Sequence, residues 1–204
     1  TDMVLPHIFG ECARPNYNNV TATFIEAVIK EETPVINPKG RVSLLHAGAA
    51  AQAAIEAVRS GRTGSLHPTA RDIAVVDLFK TLQRFHIDYQ ANIYPDLRDP
   101  FTVSLFNTYR AALYPQGFPR PLKLNIDARG TLFEAVKGGG GGQTFLSTTV
   151  PAITRGDHFH LDKVERFLVV QGEAIIRIRK VLSDAVWEYR VSGKDPAPVD
   201  MPTL

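Results

Sequence analysis

The feature that most constrains this chain is a change of period. Ahead of PQGFPRP (residues 115–121) apolar residues recur at helical spacing, and behind it they fall into short strand-like runs. Proline can neither continue a helix nor sit in a central strand, so three prolines in seven residues mark a boundary. The expectation is an α+β chain in two parts: a helix-rich part, 1–114, and an all-β part, 122–204, joined by 115–121.

Four helices are expected in the first part. Residues 18–32 place Val20, Phe24, Ala27 and Val28 on one stripe, with Asn18 or Asn19 as N-cap. Residues 49–61 are alanine-rich and end at Gly61, where a C-cap belongs. Residues 69–86 carry Ile73, Val76, Leu78 and Leu82 in helical rhythm, with Thr69 as cap. Residues 99–114 begin with Asp99 as N-cap and Pro100 at the first helical position. MVLPHIF (3–9) and VSLLHA (42–47) read as strands. Beyond the prolines, 122–127, 131–136, 143–150, 165–170, 173–181 and 186–193 are rich in β-branched and aromatic residues. The five glycines 138–142 lie between two of these strands and read as a hairpin tip. No helix follows to lend its N-terminus to a phosphate.

Composition excludes some partners. A net charge of +2, with basic residues scattered rather than clustered, speaks against nucleic acid. No apolar run approaches the length of a membrane span, and the first ten residues lack the features of a signal peptide. The lone Cys12 allows no internal disulfide, and a cytoplasmic location is expected. The chain opens inside a strand and closes on VDMPTL, so we expect a fragment of a longer protein.

The chemistry concentrates in GDHFHLDKVERFLVVQG (156–172). In a strand, residues i and i+2 share a face, so His158 and His160 would project together. A turn through Asp162 and Lys163 would return Glu165 to that face. Two imidazoles and a carboxylate suit zinc, iron, manganese or nickel, and the spacing does not choose among them.

The spacing of Gly156, His158, His160, Glu165 and Gly172 resembles the first metal motif of the cupin family. That resemblance implies a small jelly-roll barrel with a divalent metal, zinc first, in its mouth. Cupins commonly add a histidine from a second motif, and none follows His160 here. DARGTLFE (127–134) resembles a stretch of the cupin-fold deoxysugar 3,5-epimerases, which implies substrate contacts for Arg129 and Glu134. VLPHIFGECARPNYNNVTATFIEAV and VSLLHAGAAAQAAIEAV resemble the substrate-domain segments of extended short-chain reductases that act on nucleotide sugars. Here His7 and Glu11 depart from the usual asparagine and proline. By that likeness Arg14, Asn16 and Asn18 are candidate sugar or diphosphate contacts, whereas His46 and His67 are expected to be structural.

A reductase-like part followed by a cupin is similar to the bifunctional capsular-polysaccharide UDP-sugar epimerase/reductases. That family implies epimerisation at C3 of a UDP-4-keto-6-deoxy-N-acetylhexosamine, then reduction at C4 with NADPH. Lys163, in the turn between two of the expected ligands, could serve as the catalytic acid of the first step or as a charge clamp on the diphosphate. Neither the Gly-rich dinucleotide motif nor the Tyr-x-x-x-Lys pair occurs in this sequence, so the NADPH site is expected elsewhere. A homodimer is also expected. The rival expectation is a non-catalytic metal-binding cupin that binds sugar nucleotides or dimerises.

Overall fold

The computed structural model describes residues 2–161 and 163–202. Its elements run β1 (Asp2–Met3), β2 (His7–Phe9), α1 (Val20–Ile29), β3 (Arg41–His46), α2 (Ala47–Arg59), β4 (Ser65–Leu66), β5 (Arg71–Ala74), α3 (Val75–Gln90), β6 (Ile93–Tyr94) and α4 (Pro100–Ala112). The strand-rich part follows as β7 (Asn125–Asp127), β8 (Gly130–Gly138), β9 (Gln143–Ser147), β10 (Glu165–Phe167), β11 (Glu173–Arg179), β12 (Val186–Ser192) and β13 (Val199–Met201). No helix among the described residues is long and apolar enough to cross a membrane. The chain divides into two compact units, 1–150 and 151–204, so the Pro-rich segment 115–121 lies inside the first.

The first unit holds the buried core. Strand β3 pairs parallel with β2 and antiparallel with β5. Its consecutive residues Leu44 and Leu45 are both buried, so this central strand is covered on both faces. Helix α1 packs Phe24, Ile25 and Val28 into the core. Helix α3 adds Leu78, Phe79, Leu82, Phe85 and Tyr89, and α4 adds Leu105, Phe106 and Tyr109. Phe106 meets Phe85 and Tyr89 edge-on at ring distances of 5.2 and 5.3 Å, the geometry that aromatic quadrupoles favour.

Local chemistry sets the helix ends. Asn19 caps α1, accepting from the Ala22 N–H, and its amide also donates to the Ile8 carbonyl of β2. Asp99 caps α4 with Pro100 at the first position, as expected. The expected helix over 69–86 is corrected. Residues 71–74 form β5 against β3, and α3 starts only at Val75, with Ala74 at a cap position that makes no side-chain bond. Two strand expectations shorten as well: Pro6 lies in the gap between β1 and β2, and 165–170 is a strand only at Glu165–Phe167.

Strand β8 carries β9 along its length, β7 at one end and β6 at the other. The parallel β6 pairing joins Lys137 and Gly138 to the loop after α3, which explains why β7–β9 belong to the first unit. The second unit contains the β10–β13 pair and the seven-residue β11–β12 hairpin. None of its described residues is buried. Among the described residues, β7–β13 pair as three separate sheets, and these pairings do not close the expected jelly-roll barrel.

Candidate metal centre

His158 and His160 do not lie in a strand, which corrects the expected basis for their convergence. Residues 153–160 carry no regular structure. The turn ahead of them uses left-handed backbone at Gly156 (φ 102°) and Asp157 (φ 59°), a conformation that glycine adopts without a Cβ penalty. Glu165 does open a strand, as expected. Its position is held by the register of β10 on β13, where it lies opposite Met201, and by the ion pair of Arg166 with Asp200. Asp162, expected in the intervening turn, lies outside the described residues.

The three side chains nevertheless come together. The His158 and His160 rings stand 4.8 Å apart, edge to face. His160 Nε2 lies 3.5 Å from Glu165 Oε2. One donor atom from each of the three residues falls within 4.8 Å of the others. Donors around a tetrahedral ion with bonds of about 2.0–2.1 Å sit roughly 3.3 Å apart. The His160–Glu165 separation is close to that, and the exposed His158 ring needs a rotamer adjustment to close the set. Three protein ligands of this kind leave a coordination position open, the pattern of catalytic rather than closed structural zinc sites. The residues present therefore fit a divalent cation.

Lys163 is exposed on the connection between His160 and Glu165. Phe159, Leu161 and Val164 interleave in sequence with His158, His160 and Glu165 and are also exposed, an apolar rim that sequence reading did not single out. The contribution of β13 was likewise missed, although its V-D-M alternation is strand-like.

The remaining candidates belong to the first unit. Arg129 sits in the β7–β8 turn and donates to one carboxylate oxygen of Asp127, Oδ2, from Nε at 3.0 Å and from a terminal nitrogen at 2.6 Å. This bond holds the guanidinium pKa above its ordinary value. Glu134 pairs with Lys137 at 2.6 Å. Asn16 donates its side-chain amide to Glu26 and its backbone N–H to Thr23 Oγ1. Arg14 lies over the Tyr17 ring at 5.4 Å, and Asn18 takes a left-handed φ of 51°. Arg14, Asn16 and Asn18 share one loop, whereas Arg129 and Glu134 belong to a different hairpin. His46 is structural as expected, accepting a bond from Gly48 N–H at the start of α2. An open hollow of about 820 Å³ between α2 and β4, lined by residues such as Glu56, Arg59 and Arg62, contains none of these candidates.

Residues 125–204 match the family model described as polysaccharide biosynthesis C-terminal domain. Over 194 residues, 93% of this chain and 52% of the relative, the sequence is 27% identical to UDP-2-acetamido-2,6-beta-L-arabino-hexul-4-ose reductase of Pseudomonas aeruginosa. Among solved structures it is similar to the capsular polysaccharide assembling protein CapF from Staphylococcus aureus. The TM-score is 0.88 at 31% identity, covering 98% of this chain and 56% of that one. A structure of CapF with the inhibitor 3-isopropenyl-tropolone gives a TM-score of 0.89, again at 31% identity, over 98% of this chain and 60% of the other. The chain thus shares the mixed helix-and-strand fold of CapF, and it spans about half the length of the relatives it matches. The likeness to capsular-polysaccharide and UDP-sugar enzymes expected from the motifs is found along nearly the whole chain.

Proposed function

We propose that this chain is part of a sugar-nucleotide enzyme of capsular or surface polysaccharide synthesis, and that its strand-rich part epimerises C3 of a UDP-4-keto-6-deoxy-N-acetylhexosamine. The observation that carries the reading is the convergence of His158, His160 and Glu165. The relatives supply the substrate class, since the Pseudomonas aeruginosa relative is named for a UDP-linked 4-ulose.

His158, His160 and Glu165 would hold a divalent cation, with zinc our first expectation. When bound, it would supply a Lewis acid able to draw electron density from a ketone oxygen. Epimerisation beside a ketone requires the C3 proton to leave on one face and a proton to return on the other. Lys163, on the connection between ligands, is our candidate for the group that holds the returning proton. Phe159, Leu161 and Val164 would shed water from the mouth of the site once substrate covers them. Arg129 and Glu134 remain candidate substrate contacts of this step. Arg14, Asn16 and Asn18 are those of a reductase half that reduces C4 with NADPH. Among the described residues the glycine run 138–142 is the tip of the β8–β9 hairpin, and no helix follows it to lend its N-terminus to a cofactor phosphate. No reduction step is therefore assigned to these residues. A cytoplasmic homodimer completes the proposal.

Incubated with the UDP-4-keto sugar in heavy water, the metal-loaded protein should wash deuterium into C3, and His160→Ala and Glu165→Gln should abolish it. An absence of wash-in by the loaded wild type sinks the epimerase reading. The second reading, a binding or dimerisation module, draws on the lack of buried residues among those described in the second unit. It gains if wild type binds metal and UDP-sugar without exchange. A tropolone presents two adjacent oxygens suited to a divalent cation, so its binding to this chain should depend on the loaded metal under either reading.

A further inference from the structure

We infer that Glu11 and His46 form a positioning pair that sets the loop carrying Arg14, which, on the sugar-nucleotide reading above, grips the diphosphate. Strands β2 and β3 run parallel, with Phe9 opposite His46 at their carboxyl ends. In open α/β sheets this edge is where ligands bind. The loop 10–18 leaves β2 here and leads to α1.

His46 makes three contacts from this edge. Its Nδ1 accepts from the Gly48 N–H at 3.2 Å, capping α2. Acceptance there leaves the ring proton on Nε2, which faces Glu11 Oε2 at 3.0 Å. The ring also meets the buried Phe9 edge-on at 5.4 Å. Both ring nitrogens are therefore committed, and His46 has none free to act as an acid or base. Two glycines keep the space: a Cβ on Gly10 would meet Ala47 Cβ at 3.2 Å, and one on Gly48 would meet His46 Nδ1 at 3.1 Å. Burial pushes the Glu11 carboxyl up, but hydrogen bonds from its own backbone and from His46 outweigh this and leave its pKa below the ordinary value.

The loop needs such anchors. Cys12, Asn16 and Asn18 all take left-handed backbone, at φ 64°, 57° and 51°. Such backbone is strained for a residue with a Cβ and persists only where the surroundings fix it. Asn16 is tied to Thr23 and Glu26, and Asn19 to Ile8. The Glu11–His46 bond ties the stretch ahead of Asn16 to β3, and Arg14 lies within that stretch.

The test titrates the protein with UDP by calorimetry, comparing wild type with Arg14→Ala, Glu11→Gln, His46→Asn and the double variant Glu11→Gln/His46→Asn. Asparagine keeps the helix cap but is too short to reach Glu11, and circular dichroism checks that α2 survives. Each single change in the pair should weaken UDP binding roughly five- to tenfold, the order of the net contribution of one intramolecular hydrogen bond. The double variant should be no weaker than either single, because both remove the same bond. Nitrogen-15 spectra should show His46 protonated at Nε2. Wild-type affinity in both single variants, beside a weakened Arg14→Ala, overturns the pair while leaving the loop's role intact. So does a His46 protonated at Nδ1. Absence of UDP binding by wild type, or full binding by Arg14→Ala, removes the sugar-nucleotide reading of the loop and the inference with it.

Discussion

At the scale of single residues, backbone conformation explains most of what side-chain patterns left open. The glycine run 138–142 was legible as a hairpin tip, but the reason for its composition was not. A Cβ on Gly139 would lie 2.8 Å from the Tyr94 carbonyl oxygen, whereas one on Gly140 would meet only the Asp96 carboxylate at 3.6 Å. The close approach depends on the β6–β8 pairing, which joins residues over forty positions apart and leaves no local trace. Gly139→Ala should therefore destabilise the first unit by about 1–3 kcal/mol, with Gly140→Ala near neutral, in urea unfolding. Helix α1 offers the converse. Glu32 N–H reaches the Ala27 carbonyl and Glu31 N–H the Val28 carbonyl, a Schellman ending with Glu31 left-handed at φ 57°. The same ending on α2 uses Gly61, which the sequence did reveal. Glu31→Gly should raise stability by up to about 1 kcal/mol, measured as a shift of the urea midpoint.

Among elements, α3 shows why period alone misplaces a boundary. Ile73 and Val76 satisfy a helical rhythm, yet Arg71–Ala74 pair with β3 and become strand. The competing bonds come from residues 41–44, which a local window cannot see. The C-terminal half of α3 was legible because Leu78, Leu82 and Phe85 keep the helical spacing to the core. Leu82 is fully buried, so Leu82→Ala should cost about 2–5 kcal/mol in urea unfolding. The contact of α3 with α4 also carries a pH response. Gln90 Nε2 lies 2.8 Å from His86 Nε2, and His86 Nδ1 lies 2.9 Å from Tyr109 Oη. With the amide donating, the ring is neutral and donates from Nδ1 to the tyrosine oxygen. Burial foremost, opposed by Glu31 and reinforced by Arg120, puts the His86 pKa below its ordinary value of 6.5. The unfolded chain then takes up the proton first. The stabilisation is present above about pH 6.5 and is lost as pH falls through that value towards the lower folded pKa. Urea midpoints should drop between about pH 7 and pH 5, and His86→Gln should flatten that drop.

For the whole molecule, the two units differ in what holds them. The first has a continuous apolar core, and its helices were largely readable because amphipathic spacing and caps are local. The second has no buried residue among those described, and its Trp187 and Tyr189 are about half exposed on the β11–β12 hairpin. Its candidate metal cluster was nevertheless legible, because the H-x-H and the glutamate lie within eight residues of one another. The irregular backbone at 153–160 was not, because it follows from the turn at Gly156 and Asp157 rather than from any period. A unit so lightly packed should gain markedly from a bound ion. At a free metal concentration a hundredfold above Kd, linkage gives about 2.7 kcal/mol. The most direct test of the metal centre is a zinc titration in competition with a chelator, on wild type, His158→Ala, His160→Ala and Glu165→Gln. The account predicts one high-affinity ion per chain in wild type and a loss of at least about tenfold in affinity for each variant. Equal zinc binding by wild type and all three variants, or none by wild type, would contradict it.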